Sequence, residues 1–362
     1  MIGPRHDLPE LAGIITPDEV LATARSIAEL QLPNGMIPWY PGGHCDPWNH
    51  VETAMALDVA GMHAEARRAF EWLEHSQRPD GSWHNYYLSD SIEDAKLDTN
   101  VIAYVATGLW HHFTLTGDRD ALARWFPMVE RAIEFVLDLQ TPRGEIIWAR
   151  HPDGTPWSFA LLTGSSSICH SLRCALAIAH ELGEERPDWE LSLESLAAVI
   201  RTRPDGAFAP KNRWAMDWYY PVISGALTRT ESVLRLMSRW STFVMDGLGV
   251  RCVSDEPWVT AAETAECAIA HHLAGRTNVA IDLLACTRRH RCDDGAYLTG
   301  LVHPDLIVFP ADERTAYTSA AIVLAADAIC GASPGAGVFA GVGLPPVVDD
   351  GPMSNEPVAK VD

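Results

Sequence analysis

Apolar positions recur along this chain at helical spacing in two alternating kinds of segment. One kind is amphipathic, with an apolar stripe and a polar face. The other is rich in alanine and apolar around most of its circumference, as expected of helices buried on both sides. The second kind reads DPWNHVETAMALDVAG from Asp46, DTNVIAYVATGLWHHFTLTG from Asp98, SSSICHSLRCALAIAHELG from Ser165, EPWVTAAETAECAIAHHLAG from Glu256 and ERTAYTSAAIVLAADAICG from Glu313. Each opens on a capping or acidic residue and closes on a glycine, which accepts the left-handed conformation at a helix end. A less regular sixth segment, NRWAMDWYYPVISGALTR, carries Pro221, where its helix is predicted to start. Among the amphipathic partners, Thr16, Pro17 and Glu19 form a capping-box start to a helix running to about Gln31. Two later partners are predicted over about 189–201 and 230–245.

The turns between these segments repeat. Gln31 to Ile37 reads QLPNGMI, Gln77 to Trp83 reads QRPDGSW, and Gln140 to Ile146 reads QTPRGEI. Weaker forms are TRPDGAF from Thr202 and RCDDGAY from Arg291. A repeat of this kind fixes the architecture before any single residue does. Six outer and six inner helices, with the apolar set inside, predict an all-α (α/α)6 toroid over residues 1–331. Residues 332–362 are rich in Gly and Pro without helical periodicity, and are expected to form an irregular tail, extended or disordered.

Composition narrows the function. The chain has 362 residues, 47% hydrophobic and 21% charged, with a formal net charge of -21. That charge repels nucleic acid and anionic membrane. No secretory signal or membrane-length apolar run is visible, and the eight cysteines are scattered without CxxC pairs. These features lead to the expectation of a cytoplasmic protein with reduced thiols. A homo-oligomer is left open.

The stretch Gln77-Arg78-Pro79-Asp80-Gly81-Ser82-Trp83 resembles the QW motif of terpenoid cyclases and protein prenyltransferase β subunits, both built on (α/α)6 barrels. It is similar as well to the turns of the six-hairpin glycosidases, which share that toroid. The resemblance implies the fold more firmly than the function, because the motif is a structural turn.

In such a ring the loops entering the inner helices gather at one face. Here they read HCDPWNHVE (44–52), SDSIEDAKLDTN (89–100), WARHPDGTPW (148–157), PKNRWAMDWYY (210–220), SDEPWVTAAE (254–263) and HPDLIVFPADERTAY (303–317). Every loop carries a carboxylate and most carry an aromatic, a mixture suited to sugars. Glycoside cleavage needs one carboxyl as acid and another as base or nucleophile. Asp98 and Glu263, from hairpins two and five, stand across a six-fold ring and form the favoured pair, with Asp217 as substitute. Trp48, Trp157, Trp218 and Trp258 are candidate platforms, and Lys96, Lys211 and Arg213 candidate hydroxyl or anion binders. His50, Glu52, His151 and Tyr219 complete the candidate substrate-binding set. Asp46, Asp98 and Asp255 also occupy natural N-cap positions. Glu263 lies inside its helix, where no cap explains it.

The expected substrate is an oligosaccharide or small molecule, with no cofactor and no metal. Two alternatives stand beside this glycosidase-like reading. An isoprenoid enzyme needs a DxDD-like cluster, of which DSIED gives only a loose approximation. Its prenyltransferase form needs zinc, for which Cys292, Asp293 and His303 depart from the family spacing. A non-catalytic binding toroid is the third reading.

Overall fold

A computed structural model describes residues 6–348 of the chain. Six inner helices run through Pro47–Val59, Thr99–Ala103 continued by Val105–Thr116, Leu162–Leu182, Met216–Ile223, Ala261–Leu273 and Ala316–Cys330. Each packs on the next and the last packs on the first, so the ring closes. The outer helices Pro17–Ala28, His63–Ser76, Arg119–Leu137, Pro187–Thr202, Arg229–Ser238 and Thr277–Cys286 surround them. The capping box at Thr16 is present, with the Glu19 carboxylate accepting from the Thr16 backbone N–H at 2.9 Å.

The repeated turn explains the regular stacking. Gln77 Nε2 donates to its own Gly81 carbonyl at 2.9 Å and to the Met128 carbonyl of the next outer helix at 2.9 Å. Gln31 ties Gly35 to Glu65, and Gln140 ties Gly144 to Ser192, in the same way. At the seam, the Thr23 hydroxyl of the first outer helix donates to the Gly295 carbonyl at 2.9 Å. One side chain thus satisfies two backbone carbonyls and fixes the spacing between neighbouring hairpins.

Glycine is required where these turns press on the next helix. Gly81 has φ +86°, and a Cβ there would sit 2.2 Å from the Arg131 carbonyl oxygen. Gly206, in the weaker fourth repeat, has φ +84° but no neighbour within 4 Å of a Cβ. Gly81→Ala is therefore expected to destabilise the fold by about 3 kcal/mol or more, and Gly206→Ala by only about 1 kcal/mol of backbone strain. Urea midpoints of the two variants check this, and equal losses would contradict it.

Several elements depart from the sequence reading. The fourth inner helix starts at Met216 and carries Pro221 within it. Proline leaves the Asp217 carbonyl without its helical donor, and Arg235 Nη2 supplies one at 2.6 Å. The fifth starts at Ala261 rather than Glu256, because Trp258–Thr260 pairs as a strand with Gly300–Val302. Asp255 is therefore no helix cap; it is exposed and paired with Arg213. The outer helix expected over 230–245 stops at Ser238, and Val244–Met245 joins a hairpin with Gly249–Val250.

The tail also differs over its described part. Residues 332–348 form compact turns with Val338 and Leu344 buried, and Phe339 stacks on His170 at 5.7 Å. They lie against the inner helices, since apolar side chains in a Gly/Pro-rich segment bury where a ring end offers an apolar surface. The expectation for residues 349–362 falls outside the described residues.

Candidate active site

The loops at one end of the ring enclose a cavity of about 330 Å³. Its lining holds five carboxylates, Asp46, Glu52, Asp98, Glu263 and Glu266. Trp39, Trp48, Tyr86, Trp148 and Tyr317 supply aromatic faces.

Asp98 is held by two local devices. It caps the second inner helix, accepting from Asn100 N at 3.1 Å, and its strand Leu97–Asp98 pairs with Ala149–Arg150 from the next loop. That pairing brings Trp148 alongside, and Lys96 Nζ lies 4.3 Å over the Trp148 ring and 3.8 Å from the Asp98 carboxylate. Burial raises the Asp98 carboxyl to about 6, against the opposing pull of Lys96. Asp98 is thus a capping residue and an unusually weak acid facing the cavity.

Glu263 lies in the first turn of the fifth inner helix, aimed by the strand Trp258–Thr260 that precedes it. It is half-buried and lines the cavity. The Cys252 thiol is a hydrogen-bonding neighbour. A carboxylate at a helix N-terminus is favoured by the helix dipole.

Two further carboxyls form the floor. Glu52 Oε1 accepts from Trp48 Nε1 at 3.0 Å and from the Tyr104 hydroxyl at 3.1 Å. Glu266 Oε1 accepts from the Tyr220 hydroxyl at 3.0 Å, and its other oxygen accepts from Tyr219. Burial, partly opposed by the Tyr104 and Trp48 donors, raises Glu52 to about 7, and burial and the neighbouring Glu52 charge push Glu266 well above the carboxylate range. Both carboxyls have folded values above their unfolded ones. Their contribution to stability is complete below about pH 4 and is lost as pH rises through the folded values, for Glu52 about 7. The melting temperature is expected to fall by about 2–5 °C between pH 6 and 9, and Glu52→Gln to flatten part of that fall. Melting curves at pH 6, 7.5 and 9 check it, and no difference between the two proteins' slopes would contradict it.

The other sequence candidates scatter. Trp48, Glu52 and Lys96 line the cavity with Asp98 and Glu263. Asp217 does not: it accepts from Thr163 Oγ1 at 2.6 Å and, with Lys211, lines a second cavity of about 510 Å³ beside the fourth inner helix. Trp218 is a core residue rather than a platform, stacked on Phe243 at 5.5 Å with its indole N–H donated to Arg235. His50 is buried, with both ring nitrogens used by Ile37 N and the Ala69 carbonyl. Tyr219 acts through Glu266.

At the rim, Trp157 sits between Trp148 and His151, 4.7 Å from each ring, outside the cavity lining. Trp258 donates to the Phe309 carbonyl at 2.9 Å and braces the three-stranded sheet. Arg213 is exposed and paired with Asp255 at 2.8 Å.

Sequence reasoning missed Glu266, Trp39 and Tyr86 as lining residues, gave Trp148 and Tyr317 no role of their own within the candidate loops, and set Asp46 aside as a cap. Asp46 does cap, accepting from Asn49 N at 3.0 Å, and also accepts from Trp39 Nε1 at 2.7 Å on the cavity wall. Glu266 had a legible signal, since it lies three residues after Glu263 and therefore on the same helix face.

Among the described residues no group of three or more His, Cys, Asp or Glu side chains is arranged to hold a metal ion. All eight cysteines are free. Among the described residues no helix is long and apolar enough to cross a membrane.

Comparison with known proteins places this cavity in context. No protein-family model matches the chain. It is 49% identical over 344 residues to the MMP endo-(1,4)-3-O-methyl-alpha-D-mannosidase of Mycolicibacterium hassiacum, covering 94% of this chain and 95% of the relative. Among solved structures, a wild-type glycosidase superposes with TM-score 0.68 at 13% identity, covering 88% of this chain and 98% of that one. The GH63 mannosylglycerate hydrolase of Thermus thermophilus superposes with TM-score 0.65 at 11% identity, covering 84% and 99%. These low identities speak for the fold, which is the (α/α)6 toroid expected from the repeats. The isoprenoid and non-catalytic alternatives find no support. The chain belongs to the family of the Mycolicibacterium hassiacum endo-mannosidase and is a glycosidase of the six-hairpin type.

Proposed function

We propose that this enzyme cleaves internal (1,4) linkages in chains of 3-O-methyl-α-D-mannose, with Asp98 as general acid and Glu263 as the second carboxylate. The observation that carries the substrate is the 49% identity to the named endo-mannosidase over nearly the whole of both chains. The roles rest on geometry and charge. Asp98, raised to about 6 by burial, keeps its proton to higher pH than an ordinary carboxyl and, below about 6, can give it to the leaving glycosidic oxygen. Glu263, from the fifth of six hairpins, faces it from the other side of the ring and assists attack at the anomeric carbon. Trp48 offers a flat face for a sugar ring, and Lys96, which lies over the Trp148 ring, holds the Asp98 side of the cavity.

Glu52 and Glu266 serve the floor instead, held by four phenol and indole donors that occupy Glu52 Oε1 and both Glu266 oxygens. The test is product sizing: purified enzyme is incubated with a defined α-(1,4)-linked 3-O-methylmannose oligosaccharide. Early release of mid-length fragments supports the reading, and release of single sugars from an end, or no cleavage, contradicts it.

A further inference from the structure

The cavity wall is chemically lopsided. All five of its carboxylates come from the first, second and fifth hairpins, whereas the inner helices of the third and fourth and their immediate leads contribute Leu161, Thr163, Gly164 and Met216. The Thr163 hydroxyl already donates to Asp217 at 2.6 Å. Asp217, next to Met216, would put a charge into this sector if the helix were turned. Successive helical residues project about 100° apart, so with Met216 toward the cavity Asp217 faces Thr163 and the neighbouring cavity instead. Val101 and Ala262 extend the apolar surface on either side.

We propose that this sector is the receptor for the O-methyl group of a 3-O-methylmannosyl residue bound at the cleavage site, with Met216 and Leu161 as its specificity-determining side chains. This inference rests on the substrate reading above. Methylation removes a hydroxyl's proton and adds an apolar group. Against the carboxylate sectors that group would strip water from an acceptor and return no hydrogen bond. Against Leu161, Gly164 and Met216 it buries apolar surface, and an unmethylated hydroxyl set on those three would find no polar side chain among them, the polar lining beside them being Thr163 and Asn100. The wall thus favours the methylated chain and rejects the plain one, by contrast with a carboxylate wall.

The experiment compares kcat/KM on two α-(1,4)-mannose oligosaccharides of equal length, one bearing 3-O-methyl groups and one bare, for wild type, Met216→Gln and Leu161→Gln. Melting curves establish that each variant is folded. A discrimination of roughly tenfold or more for the methylated chain is expected of wild type, in the range one carbon confers in an apolar pocket. At least one folded variant is expected to lose most of it, chiefly through slower cleavage of the methylated chain. Strong wild-type discrimination that survives in both folded variants overturns the wall but not the substrate reading. Equal wild-type rates on the two chains overturn the role of methylation in that reading, and the wall with it.

Discussion

Glu263→Gln lowers kcat by about 10³-fold or more while the melting temperature stays within about two degrees of wild type. The two halves of this expectation have separate causes. Turnover falls because an amide neither accepts a proton from water nor attacks an anomeric carbon. Stability holds because Glu263 is half-buried on the cavity side, and its replacement forfeits little beyond a helix-dipole interaction of about 0.3–1 kcal/mol. Hydrolysis and melting curves on the same preparation check both. A folded variant that retains wild-type turnover would remove Glu263 from the mechanism.

Asp98→Asn separates proton donation from everything else Asp98 does. The amide oxygen still accepts from Asn100 N, so the helix cap survives. On the natural glycoside, kcat is expected to fall by roughly 10²–10⁴-fold. On an aryl glycoside whose leaving group departs without a proton, the loss is expected to be far smaller. The pH profile carries the same signature. Burial raises Asp98 to about 6, so the donor is protonated below that value and kcat/KM of wild type declines as pH rises through it. That decline should vanish in Asp98→Asn assayed on the aryl glycoside. Equal losses on both substrates would assign Asp98 a structural role instead.

The ring was readable in the sequence because its information is local. Each glutamine, glycine and aromatic of the turn acts within one hairpin and on the next, and the Gln31, Gln77 and Gln140 contacts repeat one another. The boundaries that failed are those decided by distant partners. Trp258–Thr260 became a strand because Gly300–Val302 lies beside it, and the described part of the tail is ordered because the ring end receives Phe339.

The site was readable to the same extent. Asp98, Glu263, Trp48, Glu52 and Lys96 converge because loop position alone places them at the mouth. Trp218 and Asp217 did not, because direction around a helix is set by packing: Phe243 draws the first into the core, and Thr163 holds the second. Glu266 escaped notice inside an alanine-rich helix, where the phenols that stabilise its carboxyl come from another helix in the fold, Tyr219 and Tyr220 on the fourth inner helix.

The assignment of roles is tested most directly by the crystal structure of Glu263→Gln with an α-(1,4)-linked 3-O-methylmannose oligosaccharide bound. The account predicts a glycosidic oxygen within about 2.6–3.2 Å of the Asp98 carboxyl and residue 263 on the opposite side of the same anomeric carbon. A chain whose linkage lies instead against Glu52 and Glu266, or in the cavity beside Asp217, would contradict it.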